Sequence, residues 1–332
     1  MEKRLFLGAN TADGFKSYFE ERLKFCDRIY ILKGGPGTGK STLIRKVASK
    51  AKESGADFET WYCSGDVKSL DGIYIKSKNT AIVDGTNPHA IEATLPVVKE
   101  KVIALGDFID EKKILPYGEE IARLCKSKAA HYVKAYRRLK CAKLCIDEIN
   151  ADFIPYISMP KMTQICSSLA YHVRKAAKVS KQLSRAISPQ GIVSFYDHLV
   201  DKQIILLKSE CQAQTEIFFE KMSQMLCGYD AYMTPLGCGI EGMVVGRYAI
   251  VEDCFDYEPQ ETVDLSVTLK KAVKADEFAT AEYERQMGLA INELAAAREN
   301  HLAVENYYVP AMNFDKVGIV TEKIIGEIFN DL

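Results

Sequence analysis

No excess of one charge sign marks this chain: its 332 residues hold 44 lysines and arginines against 45 aspartates and glutamates, a formal net charge of -1. Nothing global therefore draws it to nucleic acid or to an anionic membrane, and any charged partner must be read by a local patch. Long apolar runs are missing too; none approaches the ~20 residues that a membrane span needs. No CxxC pair occurs among Cys26, Cys63, Cys125, Cys141, Cys145, Cys166, Cys211, Cys227, Cys238 and Cys254, and the opening Met1-Glu2-Lys3-Arg4 leads into no apolar signal core. Reduced thiols and a cytoplasmic, soluble protein are expected. Cys141 and Cys145 stand four apart on an expected helix, with His131 the nearest histidine in sequence. A metal there would need further converging ligands, so packing along a helix face is the expected use.

The length suits two domains of ordinary size, each able to bury a core. Arg28-Ile29-Tyr30-Ile31-Leu32-Lys33 reads as a short buried strand running into a glycine-rich loop, and Leu43, Ile44, Val47 and Ala48 follow at helical spacing. Phe58 to Cys63 reads as a second strand and Ala81 to Asp84 as a third, buried on both faces. Gly72 to Ile75 precedes the polar turn Lys76-Ser77-Lys78-Asn79, which predicts a hairpin with Ala81–Asp84 and one antiparallel pair in a mainly parallel sheet. From about Pro96 to Asn150 the pattern becomes helical. One face of that stretch is basic, with Arg123, Lys126, Lys128, Lys134, Arg137, Arg138, Lys140 and Lys143, and a solvated or helix-paired face is expected rather than a nucleic-acid surface. The further basic run Arg174, Lys175, Lys178, Lys181 and Arg185 comes with no nucleic-acid module.

The second half repeats the first faintly. Asp13-Gly14-Phe15 matches Gln190-Gly191-Ile192, and Asp27 to Leu32 matches Asp201 to Leu206 at an offset of 174 positions. Leu70-Asp71-Gly72 matches Ile240-Glu241-Gly242, and Ala81 to Asp84 matches Ala249 to Glu252. Several matches in one order predict a duplicated domain. Each copy ends in a long helix. Tyr283 to Tyr307 carries Glu284, Glu293, Glu299 and Glu305 where the first copy is basic, and side-by-side packing of the two helices would suit that charge.

The segment Gly34-Gly35-Pro36-Gly37-Thr38-Gly39-Lys40-Ser41 fits GxxxxGK[ST]. Its glycines let the backbone curl until consecutive N–H groups face phosphate oxygens, with the first turn of a helix, Lys40-Ser41-Thr42, aimed at the same anion. Lys40 is expected on the β- and γ-phosphates, and Ser41 on magnesium. Asp84, closing a hydrophobic strand, is the second expected magnesium ligand, or else a helix-capping aspartate. The acidic residue that many motor ATPases place next is missing, since the position is Gly85. His89, Glu92, Asp66 and Asp71 lie in loops expected at the carboxyl ends of the strands and are the candidates to position water. For His89 a purely structural place is an equal alternative. No base-reading motif such as NKxD stands out, so adenine is a default.

In the second copy Lys208 to Glu216 is expected where Lys33 to Ser41 stood, without glycines or lysine and with Glu210 and Glu216 repelling phosphate. The predicted architecture is therefore α/β: a three-layer P-loop NTPase sandwich duplicated as two tandem halves, with long helices after each sheet. Its expected parts are residues 1–150, a helical linker over 151–182, and a degenerate repeat over 183–332.

With these motifs the chain resembles a bacterial family, found mainly in Clostridia and related Firmicutes, of P-loop ATPases built from two tandem NTPase-like halves. The resemblance is carried by Gly8 to Phe15, Ile31 to Ser41, Cys63-Ser64-Gly65-Asp66, Ser69-Leu70-Asp71-Gly72 and Val83 to His89, and spans nearly the whole chain. It implies MgATP binding and hydrolysis in the first half. The chain departs from the pattern where members carry a second phosphate loop. A phosphotransferase acting on a small acceptor held near Cys63–Asp71, and an ATP-gated module that binds a protein partner, are the alternatives.

Overall fold

The computed structural model describes residues 1–173, 178–237, 239–253 and 256–330. Arg174, Lys175, Cys238 and Cys254 lie outside them. The first half runs β1 (Glu2–Phe6), β2 (Gly8–Thr11), β3 (Gly14–Ser17), α1 (Phe19–Leu23), β4 (Arg28–Lys33), α2 (Lys40–Glu53), β5 (Phe58–Tyr62), β6 (Leu70–Ile75), β7 (Thr80–Asp84) and β8 (Glu100–Ala104). A short helix α3 (Glu111–Ile114), the long α4 (Gly118–Phe153) and α5 (Met159–His172) follow. The second half runs β9 (Val179–Gln182), β10 (Arg185–Ser188), β11 (Gly191–Ser194), β12 (Gln203–Lys208), α6 (Gln212–Met225), β13 (Tyr229–Met233), β14 (Ile240–Val245), β15 (Tyr248–Val251) and β16 (Glu261–Asp264), then the long α7 (Glu277–Tyr308) and α8 (Phe314–Phe329).

The protein is α/β, with two similar mixed sheets each followed by long helices. Their strand orders are β1-β5-β6-β7-β4-β8 and, in the same sense, β9-β13-β14-β15-β12-β16. In each sheet one strand, β6 or β14, runs against both neighbours and the rest are parallel. The expected β6–β7 hairpin is present, and β5–β6 adds a second antiparallel ladder. β8 lies inside the stretch read as helical; its alternating exposure at a sheet edge gives so short a strand no clear apolar run. The expected linker over 151–182 holds α5 and also β9, the edge strand of the second sheet.

Register corrects one match. Ile29 pairs with Ala81 and Ile204 pairs with Ala249, so Ile29 corresponds to Ile204, one residue away from the sequence match. In a strand a slip of one turns every side chain to the other face, so this correction decides which residues meet the core.

The two halves exchange their last helices. In one core, Met162, Cys166 and Leu169 of α5 meet Phe218, Phe219 and Met222 of α6. In another, Val317, Ile324 and Ile328 of α8 meet Leu43, Ile44 and Val47 of α2. Each half's C-terminal helix thus covers the other half's sheet, and the chain between is pinned by two reciprocal bridges, Ile109 to Met312 and Ile157 to Leu269. Burying each large aliphatic side chain contributes roughly 1.5–3 kcal/mol, so neither sheet is complete without the other half's helix.

The exchange is carried by α4 and α7, which pack antiparallel: His131 meets Glu293, Arg138 meets Gln286 and Tyr117 meets Tyr307. Ala135, Leu139 and Ala142 interlock with Met287, Ala290 and Leu294 along the seam. Of the four acids read from sequence as facing the basic helix, Glu293 pairs across the seam, taking His131 at 2.6 Å and Lys134 at 4.0 Å, whereas Glu305 turns to His301 and Gly37. Arg123 and Lys143 pair within their own helix, with Glu120 and Asp147. Cys145 is buried along α4 and Cys141 exposed, and among the described residues no cluster of metal-binding side chains forms. No described helix is long and apolar enough to cross a membrane.

Candidate phosphate-binding site

β4 lies between the parallel strands β7 and β8, with Tyr30, Ile31 and Leu32 buried. At its carboxyl end Gly34 to Gly39 curl into the start of α2, with Gly37 at φ 71° and Gly39 at φ 89°, a region that a side-chain-bearing residue enters only with strain. Thr38 is buried and its hydroxyl donates to the Gly35 carbonyl at 2.9 Å. The Lys40 ammonium folds back to the carbonyls of Gly34, at 2.7 Å, and Gly35, at 2.8 Å, and so ties the ring of backbone closed. The first N–H groups of α2, at Lys40, Ser41 and Thr42, have no partners within their own helix, as at any helix start. Loop and helix together have the shape of a candidate anion cradle.

Strand register sets Asp84 opposite Leu32, at the mouth of the loop, where its Oδ2 lies 3.6 Å from the Lys40 ammonium. Its other oxygen accepts from the Thr86 amide at 2.9 Å and from the Thr86 hydroxyl at 2.6 Å. The Ser41 hydroxyl accepts from the Leu70 amide at 3.0 Å, which brings the neighbouring Asp71 to the same edge. A serine hydroxyl and one carboxylate are the few protein oxygens with which Mg2+ is held when phosphates and water supply the rest. The donor set at this edge suits that ion. Gly85 has a steric cause: a Cβ there would stand 2.4 Å from the Ile31 side chain, so no acidic side chain fits after Asp84.

Of the four candidates for positioning water only His89 and Asp71 meet. His89 is buried between Phe15 and Phe19, its Nε2 2.9 Å from Asp71, and its Nδ1 has no hydrogen-bond partner among the described residues. Asp66 pairs instead with Arg298 of α7 at 3.2 Å. Glu92 is exposed and holds Lys33, whose ammonium also reaches the Gly85 carbonyl at 2.8 Å. Around the Asp71–His89 pair the environment is apolar. Burial, with Asp71 adding to it, pushes the Cys63 thiol well up, which removes it as a nucleophile. Burial also pushes the Tyr136 phenol to about 12, while its hydroxyl donates to Asn10.

Sequence reading missed the contribution of the second half. The Glu305 carboxylate of α7 accepts from the Gly37 amide at 3.2 Å, the Tyr308 ring lies against Gly35, and Val309 packs on Gly37. His301, beside it, is the main cause that holds the Glu305 carboxyl below its ordinary value; burial opposes this, and the Gly37 amide and Lys40 add to it. No local pattern marks these residues, because the helix exchange alone brings them to the loop. A cleft of about 540 Å3, lined by Asp107, Phe108, Lys113, Asn313, Phe314 and Lys316 among others, opens beside the start of α8, and Phe314 also touches Gly39.

In the second half β12 reaches α6 through three residues, 209–211, where the first half has the six of Gly34–Gly39. Gln212 stands at the helix start in place of Lys40. Glu216 sits one turn into α6, bonded by Gln212 at 2.9 Å, so only Glu210 lies in the turn itself. Too few amides remain to wrap a phosphate. No family model, no curated protein and no solved structure matches this chain.

Proposed function

We propose that the first half is a P-loop domain that binds a nucleoside triphosphate, ATP by default, with Mg2+ and hydrolyses it slowly. The carrying observation is the closed loop on the central strand: Lys40 bonded to Gly34 and Gly35, with Asp84 at its mouth. In this reading the loop amides and Lys40 stabilise the transferred phosphoryl group, and Ser41 and Asp84 hold the metal, which supplies charge neutralisation of the phosphates. The cleft beside Gly39 offers a base the face of Phe314 and the Asp107 carboxylate as acceptor for an exocyclic amine. Turnover is slow because no acidic side chain follows Asp84 and because His89 is engaged by Asp71. The tandem P-loop ATPase resemblance agrees with this reading.

A second reading, a nucleotide-gated module in which turnover is incidental, is favoured by one observation: a helix of the other half rests on the loop. Nothing in the geometry favours the phosphotransferase in the same way.

The test is calorimetric titration of MgATP and MgGTP into the wild type and Lys40→Ala, with phosphate release measured on the same samples. The expected result is about one nucleotide per chain, weakened about 100-fold or more in Lys40→Ala, or ~2.7 kcal/mol, with phosphate released in the wild type. Binding without release favours the gated module. No binding of either nucleotide overturns the proposal.

A further inference from the structure

On one face of α7 three side chains, Arg298, His301 and Glu305, point to the first half at the three- and four-residue spacing of a helix stripe. Arg298 lies on Asp66 and Glu305 lies on the Gly37 amide. The Glu305 contact is unusual in kind. A curled run of amides beside a lysine attracts an anion, and here the anion is a carboxylate of the same chain. Tyr308 against Gly35 and Val309 against Gly37 seat the end of α7 on the loop around that contact.

We propose that Glu305 is an internal anion of the phosphate loop, which a nucleoside triphosphate must displace, so that nucleotide occupancy is communicated to the α4–α7 pair.

The inference rests on the nucleotide-binding reading above. A triphosphate with Mg2+ offers more charge and more acceptor oxygens than one carboxylate, so it wins the cradle, but part of its binding is used to move Glu305. The displaced carboxylate cannot stay beside the incoming phosphates, because like charges repel. Glu305 belongs to a continuous helix of 32 residues whose following segment, α8, is packed in the first half's core. Its movement is therefore passed along the seam where His131 and Lys134 hold Glu293 and where Lys128 lies 3.5 Å from His301. The rest of the face gives the same direction: Arg298, now on Asp66, is the cation that the stripe would bring toward the phosphates as Glu305 leaves.

The experiment is MgATP and MgGTP titration into the wild type, Glu305→Ala and Glu305→Gln, with Lys40→Ala as the control. Glu305→Ala removes both charge and acceptor and is expected to tighten binding about 10-fold, the size of one charge-assisted hydrogen bond. Glu305→Gln keeps an acceptor for Gly37 without the charge and is expected to fall between the two. If the wild type binds nucleotide and both variants bind no tighter, the inference is overturned and the loop reading stands. If no variant binds nucleotide, both fail.

Discussion

Between β4 and α2 the first half has six residues, four of them glycine, and between β12 and α6 the second half has three residues and no glycine. Around this difference the strand orders are identical, so the fold tolerates the loop but does not require it. The same contrast recurs one layer back. Asp71 pairs with His89, whereas its counterpart Glu241 pairs with Arg185, at 2.6 Å, and also accepts from Ser184. Asp84 stands beside Lys40, whereas Glu252 has no lysine at the helix start, and burial pushes its carboxyl up. In the first half Asp84 faces the Lys40 ammonium at the loop; in the second the helix start carries no lysine for the matching Glu252, and Glu241 is tied to Arg185. Two similar sheets can thus share one strand order while only one of them carries the glycine-rich loop.

The largest expected effect on that comparison comes from Arg185→Met. Glu241 is 6% exposed, and burial raises its carboxyl even with the guanidinium present. Removing the arginine leaves a buried carboxylate without its cation, at a cost of about 3–5 kcal/mol. Urea unfolding measures this, and the double variant Arg185→Met/Glu241→Met should recover most of the loss, since a matched apolar pair leaves no orphan charge. A single-variant loss below about 0.5 kcal/mol would mean the pair is solvated and the second half has not internalised the position.

The strand, loop and helix over Arg28–Glu53 were legible in sequence because their signal is local: glycine, lysine and serine at fixed spacing after an apolar strand. Asp84 was legible for the same reason, as the end of a buried strand. The duplication was legible as well, since Gly72 with Gly242 and Ala81 with Ala249 keep their order, although the β4 match slipped by one residue. What stayed hidden depends on long-range packing. β8 alternates at an edge and carries no long apolar run. Glu305 looked like one acid of a charged helix, and only the exchange of α5 and α8 shows that it faces Gly37. The burial of His89 depends on Phe15 and Phe19, some seventy residues earlier.

The helix exchange gives the next prediction. Ile324 is 1% exposed, lies near the end of the chain and packs in the first half's core. Ile324→Ala should destabilise that half by about 2–5 kcal/mol through lost burial and the cavity left behind. The chain's one tryptophan, Trp61, is fully buried in the first half, so its fluorescence reports that half directly. A shift of the Trp61 transition by less than about 0.5 kcal/mol would show that α8 does not complete the first sheet in solution. Met162→Ala, the matching change on α5, should act first on the second half.

The smallest expected effect separates the halves by pH. His198, in the second half, is 6% exposed and stacked 4.1 Å from Tyr232, and burial, with Lys3 adding to it, lowers its pKa to about 3. The first half has no counterpart of this group, since its Tyr18–Lys24 segment carries no histidine. Between the ordinary value near 6.5 and about 3 the unfolded chain binds a proton that the folded chain refuses, so stability falls as pH falls through that window. The loss contributed by His198 should reach about 2 kcal/mol at pH 5, because each unit below the unfolded pKa adds up to about 1.4 kcal/mol. Urea unfolding of the wild type and His198→Gln at pH 7.5 and pH 5 isolates it: the difference between the two pH values should be smaller in the variant by that amount. An identical difference in both proteins would mean that His198 takes up its proton inside the fold.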